Sequence, residues 1–252
     1  MIGLRNYGNN CFVSSVLQAL RCYNPILDNL ISVHPKDSFT QLLCDLMFQG
    51  GDGLYPSFIK TLPSVGIDPM HQGDAHEFLL KMMDKLEQHL KFGTTTSTLT
   101  CDCGHVLTNV EKLVCLSVNG DISEGIAEYL APEQVDARCE HCGGTGMTKV
   151  LELAPSDIFV IHAKRFTLGN KLHYDIKLKP IVCGGSKWKI TAVCNHYGNY
   201  NGGHYTTCAL TSTGWYMFND ETVQRVDSLP EVSNLPYIVF YERYGDTLLN
   251  NG

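Results

Sequence analysis

Gly3-Leu4-Arg5-Asn6-Tyr7-Gly8-Asn9-Asn10-Cys11-Phe12 opens the chain, and Gly202-Gly203-His204-Tyr205 followed by Trp215-Tyr216-Met217-Phe218-Asn219-Asp220 lies near its end. A thiol, an imidazole and a carboxamide or carboxylate are the parts of a cysteine-nucleophile hydrolase, and each stands in the local structure that part needs. Asn6 to Asn10 are turn-forming residues. Val13, Val16, Leu17, Ala19 and Leu20 then repeat apolar groups at helical spacing, so Cys11 opens a helix. Unpaired backbone N–H groups and the macrodipole favour an anion there, shifting a thiol of ordinary pKa about 8.5 toward thiolate. A cysteine at a helix start also serves as a small buried residue, and the segment alone leaves both roles open.

Asn6 folds back beside Cys11 if Gly8 makes a tight turn. Its carboxamide then joins the Cys11 backbone N–H as an oxyanion hole, worth about 2.7 to 4 kcal/mol per donor in comparable enzymes. At the other end, Lys187 to Cys194 reads as a strand, 195–203 as a loop and His204 to Leu210 as the returning strand. A turn at 211–214 leads into a strand over Trp215 to Phe218, and antiparallel pairing brings Asn219 near His204. Such an acceptor fixes the imidazole tautomer so that the other nitrogen faces the thiol. Gly202 and Gly203 serve a turn or bulge, or let a substrate backbone pass close to the histidine. His196 is a second candidate base, but it ends a strand and lacks the downstream polar partner.

Cys101-Asp102-Cys103-Gly104 and Cys139-Glu140-His141-Cys142-Gly143 place two pairs of thiols at two tight turns, the four tetrahedral ligands of a structural zinc. Two disulfides or unrelated core cysteines are the alternatives. Eleven cysteines without a secretory signal are the pattern of a reducing compartment, which counts against disulfides. Only Asp102 separates Cys101 from Cys103, so His105 and His141 stand as substitute ligands. No organic cofactor is implied.

With 252 residues, 44% of them hydrophobic, the chain can bury one large core or two fused subdomains. No apolar run reaches the length of a membrane span. The net charge of −7 is first a solvated surface, and it suits a basic partner better than a nucleic acid. Phe39, Leu42, Leu43, Leu46 and Met47 form one helical stripe. Phe78, Leu79, Met82, Leu86 and Leu90 form another, on a helix whose Asp74-x-x-Glu77 start suits a capping box. Alternation takes over in Val106-Thr108-Val110, Ile158-Val160-His162, Ile190-Ala192-Cys194 and Ile238-Phe240, interrupted by a helix from Ile122 to Leu130. The fold class is α+β, with the active site in the cleft between a helical lobe and a sheet lobe.

Five segments in order carry a resemblance: Gly3 to Leu20, His71 to Leu80, Ala154 to Phe166, Ala192 to Tyr205, and Trp215 to Val223. In these the chain resembles the ubiquitin-specific proteases, papain-like deubiquitinating cysteine peptidases. The resemblance implies a helical thumb over 1–91, short zinc-binding β fingers over 92–153 and a β-rich palm over 154–252, together one catalytic domain. It makes Cys11 the nucleophile, His204 the general base and acid, Asn219 the third member, Asp220 an assisting carboxylate and Asn6 the oxyanion donor. Which of Asn219 and Asp220 touches the imidazole stays open. Ubiquitin ends in Arg-Leu-Arg-Gly-Gly, so the family's channel implies substrate contacts at Asp74, Glu77, Gly202, Gly203 and Tyr205. Asp74 or Glu77 pairs a substrate arginine on this reading; capping is the alternative.

The implied activity is hydrolysis after the Gly-Gly of ubiquitin or a ubiquitin-like modifier. The second reading is a viral papain-like protease that also processes a polyprotein, as the Asn9-Asn10-Cys11 start and compact length suggest. An inactive ubiquitin-binding module is the third. The box beginning at residue 3 suggests an excised catalytic domain or a minimal enzyme, and the implied location is cytoplasmic, in the host if viral.

Overall fold

The computed structural model describes residues 2–31, 35, 37–49 and 53–246. Six α-helices lie among them: α1 Cys11–Leu20, α2 Asn24–Leu30, α3 Ser38–Phe48, α4 Tyr55–Ile59, α5 Ala75–Lys85 and α6 Ile122–Leu130. All ten residues of α1 are buried, so its polar members need internal partners. Ser14 and Ser15 donate back to the Cys11 and Phe12 carbonyls, and Gln18 donates to the Ile2 carbonyl. Side-chain oxygens of Asp37, Asp74 and Asp121 cap α3, α5 and α6.

Strands of three residues or more are β1 Gly93–Thr100, β2 Val106–Leu113, β3 Leu116–Val118, β4 Glu133–Arg138, β5 Thr145–Ala154, β6 Phe159–Ala163, β7 Ile181–Cys183, β8 Ser186–Asn199, β9 Gly202–Thr211, β10 Gly214–Asn219, β11 Thr222–Val226 and β12 Pro236–Asp246. One four-stranded sheet runs β2-β1-β5-β4 and ends in the cysteine turns. The large sheet runs β11-β10-β9-β8-β12-β6-β3, with β7 paired to β8. Its β3/β6 pair is parallel and the other pairs antiparallel.

One face of the large sheet, through Val160, Ala192, Cys194, Ile238 and Phe240, packs on the helical lobe with α1 against it. The opposite face carries Trp188, Val193, Val239 and Tyr241 and is covered by α6. Tyr23 ties the layers together, donating to the Tyr241 carbonyl at 2.7 Å and accepting from Phe159 N at 2.8 Å.

Three expectations need correction. Residues 195–203 are no loop: β8 runs on to Asn199 and β9 begins at Gly202, paired from Asn199↔Gly202 through Asn195↔Thr206. Asn, Gly and Tyr signal a turn locally, but ladder hydrogen bonds to β9 outweigh that preference. Residues 116–130, within the stretch assigned to the fingers, belong instead to the large sheet and its covering helix, because Leu116, Val118, Ile122 and Ile126 share one core with Phe159 and Ile161. β2, with its alternating sequence, is exposed on both faces along seven of its eight residues.

Candidate active site

The turn before α1 is built on carboxamides. Asn6 Oδ1 accepts from Gly8 N at 3.0 Å and from Asn10 N at 3.4 Å, and Asn10 Oδ1 accepts from Tyr7 N at 3.1 Å. Gly8 sits at φ +141°, a conformation that favours glycine. Together these hold Cys11 at the first turn of α1, where it is 6% exposed. The other Asn6 group, Nδ2, donates to Asp220 Oδ2 at 3.1 Å, which leaves one N–H of that amide for a developing oxyanion.

Asp220 follows β10 at φ +50°, the one non-glycine residue with positive φ among those described. Its backbone carbonyl accepts from Leu4 N and its Oδ1 accepts from Ser14 Oγ at 3.1 Å. That unusual backbone aims one carboxylate at α1, at the turn before it and at the histidine. Gly3 makes the approach possible, since a Cβ there would lie 2.3 Å from the Glu221 carbonyl oxygen.

His204 lies in the first part of β9, beyond the reach of β10, whose pairing ends at Thr207↔Phe218. Its Nε2 lies 2.7 Å from Asn219 Oδ1 and 3.8 Å from Asp220 Oδ2, so Asn219 is the side chain that touches the imidazole. Nδ1 is left for the thiol. A hydrogen bond to Cys11 raises the His204 pKa to about 9 against the pull of burial, with Asn219, the Cys11 charge and Asp220 acting in the same direction. The arrangement can hold an imidazolium beside the Cys11 sulfur.

A cleft of about 440 Å³ opens beside Cys11, lined from the helical side by Gln72, Asp74 and Glu77 and from the sheet side by Gly202, Gly203 and Tyr205. Asp74 is occupied: Oδ1 accepts from His76 N and Glu77 N, and Oδ2 accepts from Tyr237 Oη at 2.5 Å. The reciprocal half of the expected capping box is missing, because the Glu77 carboxylate turns outward to Lys81 Nζ at 2.8 Å. Tyr205 lines the cleft yet is 6% exposed, packed on His196 and Tyr237. Gly203 has a structural reason to lack a side chain: its Cβ would lie 2.1 Å from the Tyr197 carbonyl oxygen and 2.3 Å from His196 Nε2. His196 itself is 4% exposed and ringed by Phe166, Tyr205 and Tyr237, which removes it as a competing base.

At the far end of the four-stranded sheet the sulfurs of Cys101, Cys103, Cys139 and Cys142 lie within 4.8 Å of one another. Cys101 to Cys142 is 3.7 Å and Cys103 to Cys139 is 3.8 Å. A tetrahedron of sulfurs with metal–sulfur bonds of about 2.3 Å has edges of about 3.8 Å, so the set fits one metal ion. Gly104 and Gly143, at φ +83° and +73°, close the two turns. His141 Nδ1 stops 3.9 Å from Cys103 Sγ, outside the four-sulfur set.

A profile of the ubiquitin carboxyl-terminal hydrolase family matches residues 2–241. The chain belongs to that family. Ubiquitin carboxyl-terminal hydrolase 20 of Arabidopsis thaliana is 25% identical over 302 residues, covering 96% of this chain and 43% of the relative. Human ubiquitin carboxyl-terminal hydrolase 42 is 25% identical over 303 residues, covering 97% of this chain and 23% of the relative. The chain thus spans less than half the length of these ubiquitin hydrolases. Among solved structures, the SAGA Ubp8/Sgf11/Sus1/Sgf73 DUB module bound to ubiquitin aldehyde superposes with a TM-score of 0.82 at 20% identity, over 98% of this chain and 70% of the matched one. The fold is therefore the mixed helix and sheet fold of that catalytic domain.

Several side chains of this site carried no signal in the sequence. Ser14 reads as a polar break in an apolar helix, which only the Asp220 contact explains. Lys171 donates to the His196 and Gly198 carbonyls at 2.8 and 3.2 Å, tying a two-strand hairpin at 166–171 to the cleft rim. Gln72 lies in a recognisable box, yet nothing in the box says what it touches.

Proposed function

We propose that this domain hydrolyses the isopeptide or peptide bond after the C-terminal Gly-Gly of ubiquitin or a ubiquitin-like modifier. The observation that carries the reading is the His204 imidazole, held by Asn219 Oδ1 at 2.7 Å and raised in pKa chiefly by the Cys11 thiol, at the head of a cleft that Cys11 lines. The Cys11 thiolate attacks the terminal glycine carbonyl, and the oxyanion is taken by the Cys11 backbone N–H and the free Asn6 amide hydrogen. His204 gives its proton to the leaving lysine amine as the C–N bond breaks. A water then attacks the thioester, surrendering a proton to His204, and the released thiolate completes the cycle. Asp220 is a positioning residue for Asn6 in this scheme, and Asn219 for His204.

Ubiquitin as substrate is supported by the names of the relatives and by the ubiquitin aldehyde on the SAGA module. Of the two acidic residues proposed to meet a substrate arginine, Glu77 suits the role better, since it is 59% exposed while both Asp74 oxygens are taken. Zinc is the proposed occupant of the four-cysteine site, where it would be structural: Cys101, Cys103, Cys139 and Cys142 would hold it and fix the two turns. Eleven free thiols support a reducing, cytoplasmic setting. The relatives named are cellular proteins, and no feature of the geometry favours polyprotein processing or a catalytically dead module.

Reaction with a ubiquitin C-terminal vinyl electrophile tests the proposal. One covalent adduct on the intact chain, absent in Cys11→Ala, is expected; no adduct on a folded, zinc-loaded protein would overturn it.

A further inference from the structure

Gln72 reaches across the cleft. Its Nε2 donates to the Gly203 carbonyl at 3.4 Å and its Oε1 accepts from Gly203 N at 3.3 Å, so one side-chain amide engages both backbone groups of one residue. That is how a neighbouring strand pairs with a strand edge. The edge is real: β10 stops pairing at Thr207, leaving the start of β9 without a strand partner on the cleft side. Gly73 seats Gln72 beside the nucleophile, because a Cβ there would collide with the Phe12 ring at 2.6 Å. Gly202 gives it room, its own Cβ position lying 3.0 Å from Gln72 Oε1. Gly203 immediately precedes His204, and Cys11, Gln72 and Gly203 line one cleft, so the Gly203 backbone that Gln72 engages is an edge open to a peptide reaching Cys11.

We propose that the Gln72 carboxamide is a latch: it imitates a peptide strand in the free protein and hands the Gly203 backbone over to the incoming glycine-terminated chain. The proposal rests on Cys11 and His204 acting as nucleophile and base. It makes Gln72 a gate on substrate entry. An extended peptide that lacks side chains can exchange with the latch by adding a strand at this edge, whereas a chain with side chains there meets Gln72 and the rim. Two long, exposed hydrogen bonds are worth little net, so their loss translates into about a three- to tenfold change in entry.

The test compares second-order rates of Cys11 alkylation by an acetyl-Gly-Gly chloromethyl ketone, which must enter along the edge, and by iodoacetamide, which need not. Gln72→Ala is expected to raise the first rate about three- to tenfold and leave the second within about twofold. Gln72→Asn, one methylene too short to span the cleft, should behave like Gln72→Ala, while Gln72→Glu, able to accept from Gly203 N but not donate, should fall between. With ubiquitin-aminomethylcoumarin the latch predicts a lower KM at unchanged kcat. An unchanged or slower peptide rate in Gln72→Ala, or both probes accelerating together, would overturn it. The peptide probe needs no ubiquitin: a chain inert to ubiquitin electrophiles still reports on the latch, so the two failures are distinguishable.

Discussion

The carboxamide of Asn6 donates to Asp220 at 3.1 Å, joining two residues 214 positions apart. This contact makes the carboxylate beside the histidine the anchor of the turn that leads into α1. Asp220→Ala releases the Asn6 amide and Ser14 together, whereas Asn219→Ala releases only His204. Asn6→Ala and Asp220→Ala are each expected to lower kcat by about a hundredfold or more, as loss of one oxyanion donor does elsewhere. The double variant should be little worse than either single one, because both remove the same donor. Steady-state kinetics of the four proteins decide this; additive losses would separate the two residues.

The cysteine quartet predicts one metal ion per chain. Elemental analysis should find about one zinc equivalent, lost in Cys101→Ser or Cys139→Ser and retained in His141→Ala. Chelation should unfold the cysteine end of the β1, β2, β4 and β5 sheet, where the buried cluster is Cys101, Cys139 and Met147 with Leu99, Val135 and Ala137 half-buried against it. Cobalt substitution with the visible spectrum of a tetrathiolate site is the direct check.

Asp74 and Glu77 are expected to part company. Asp74→Ala removes the cap of α5 and leaves Tyr237 without its acceptor, costing about 1 to 2 kcal/mol of stability. Glu77→Arg touches one exposed ion pair and should leave stability within about 0.5 kcal/mol, while raising KM for ubiquitin substrates several-fold. Urea unfolding and initial rates on the same two variants separate a structural from a binding role.

Stability should have two pH limbs of opposite origin. Burial pulls the pKa of His196 down to about 4 and that of His162 to about 3, and lowers His76 as well. His76 and His162 stack at 3.8 Å, and each of the three has a ring nitrogen without a hydrogen-bond partner. The unfolded chain, with histidine pKa values near about 6.5, binds more protons across that window. Their contribution is therefore full above about 6.5 and drains away as pH falls through 4 toward 3. His204, raised to about 9, contributes below its unfolded value and loses that contribution as pH rises through 9. Urea midpoints measured across pH should fall on both sides, and His204→Ala should flatten only the alkaline limb.

Gly203→Ala has no room. Its Cβ would press on the Tyr197 carbonyl and His196 within β8, costing about 1 to 3 kcal/mol through overpacking and displacing His204 beside it. Thermal unfolding and alkylation of Cys11 should both register the change.

Local chemistry was legible in the sequence. The turn before Cys11, the Asp74 cap on α5, the strand character of β8 to β10 and the paired cysteines all follow from short-range rules, since each depends on a few adjacent residues. The placing of Asn219 against His204 was legible too, because a hairpin fixes register once its turn is known. What needed the tertiary structure was every choice between equivalent neighbours. Asn219 and Asp220 differ by one position, yet the positive φ at Asp220 sends its carboxylate to Asn6 and Ser14 and leaves the imidazole to Asn219. His196 and His204 flank one hairpin, and only cross-strand packing buries the first beneath Tyr205 and Tyr237. Sequence specifies which groups are present and how each local turn is made; a side-chain pair such as Asn6 and Asp220, 214 positions apart, arises when two lobes pack, and no local periodicity encodes that contact.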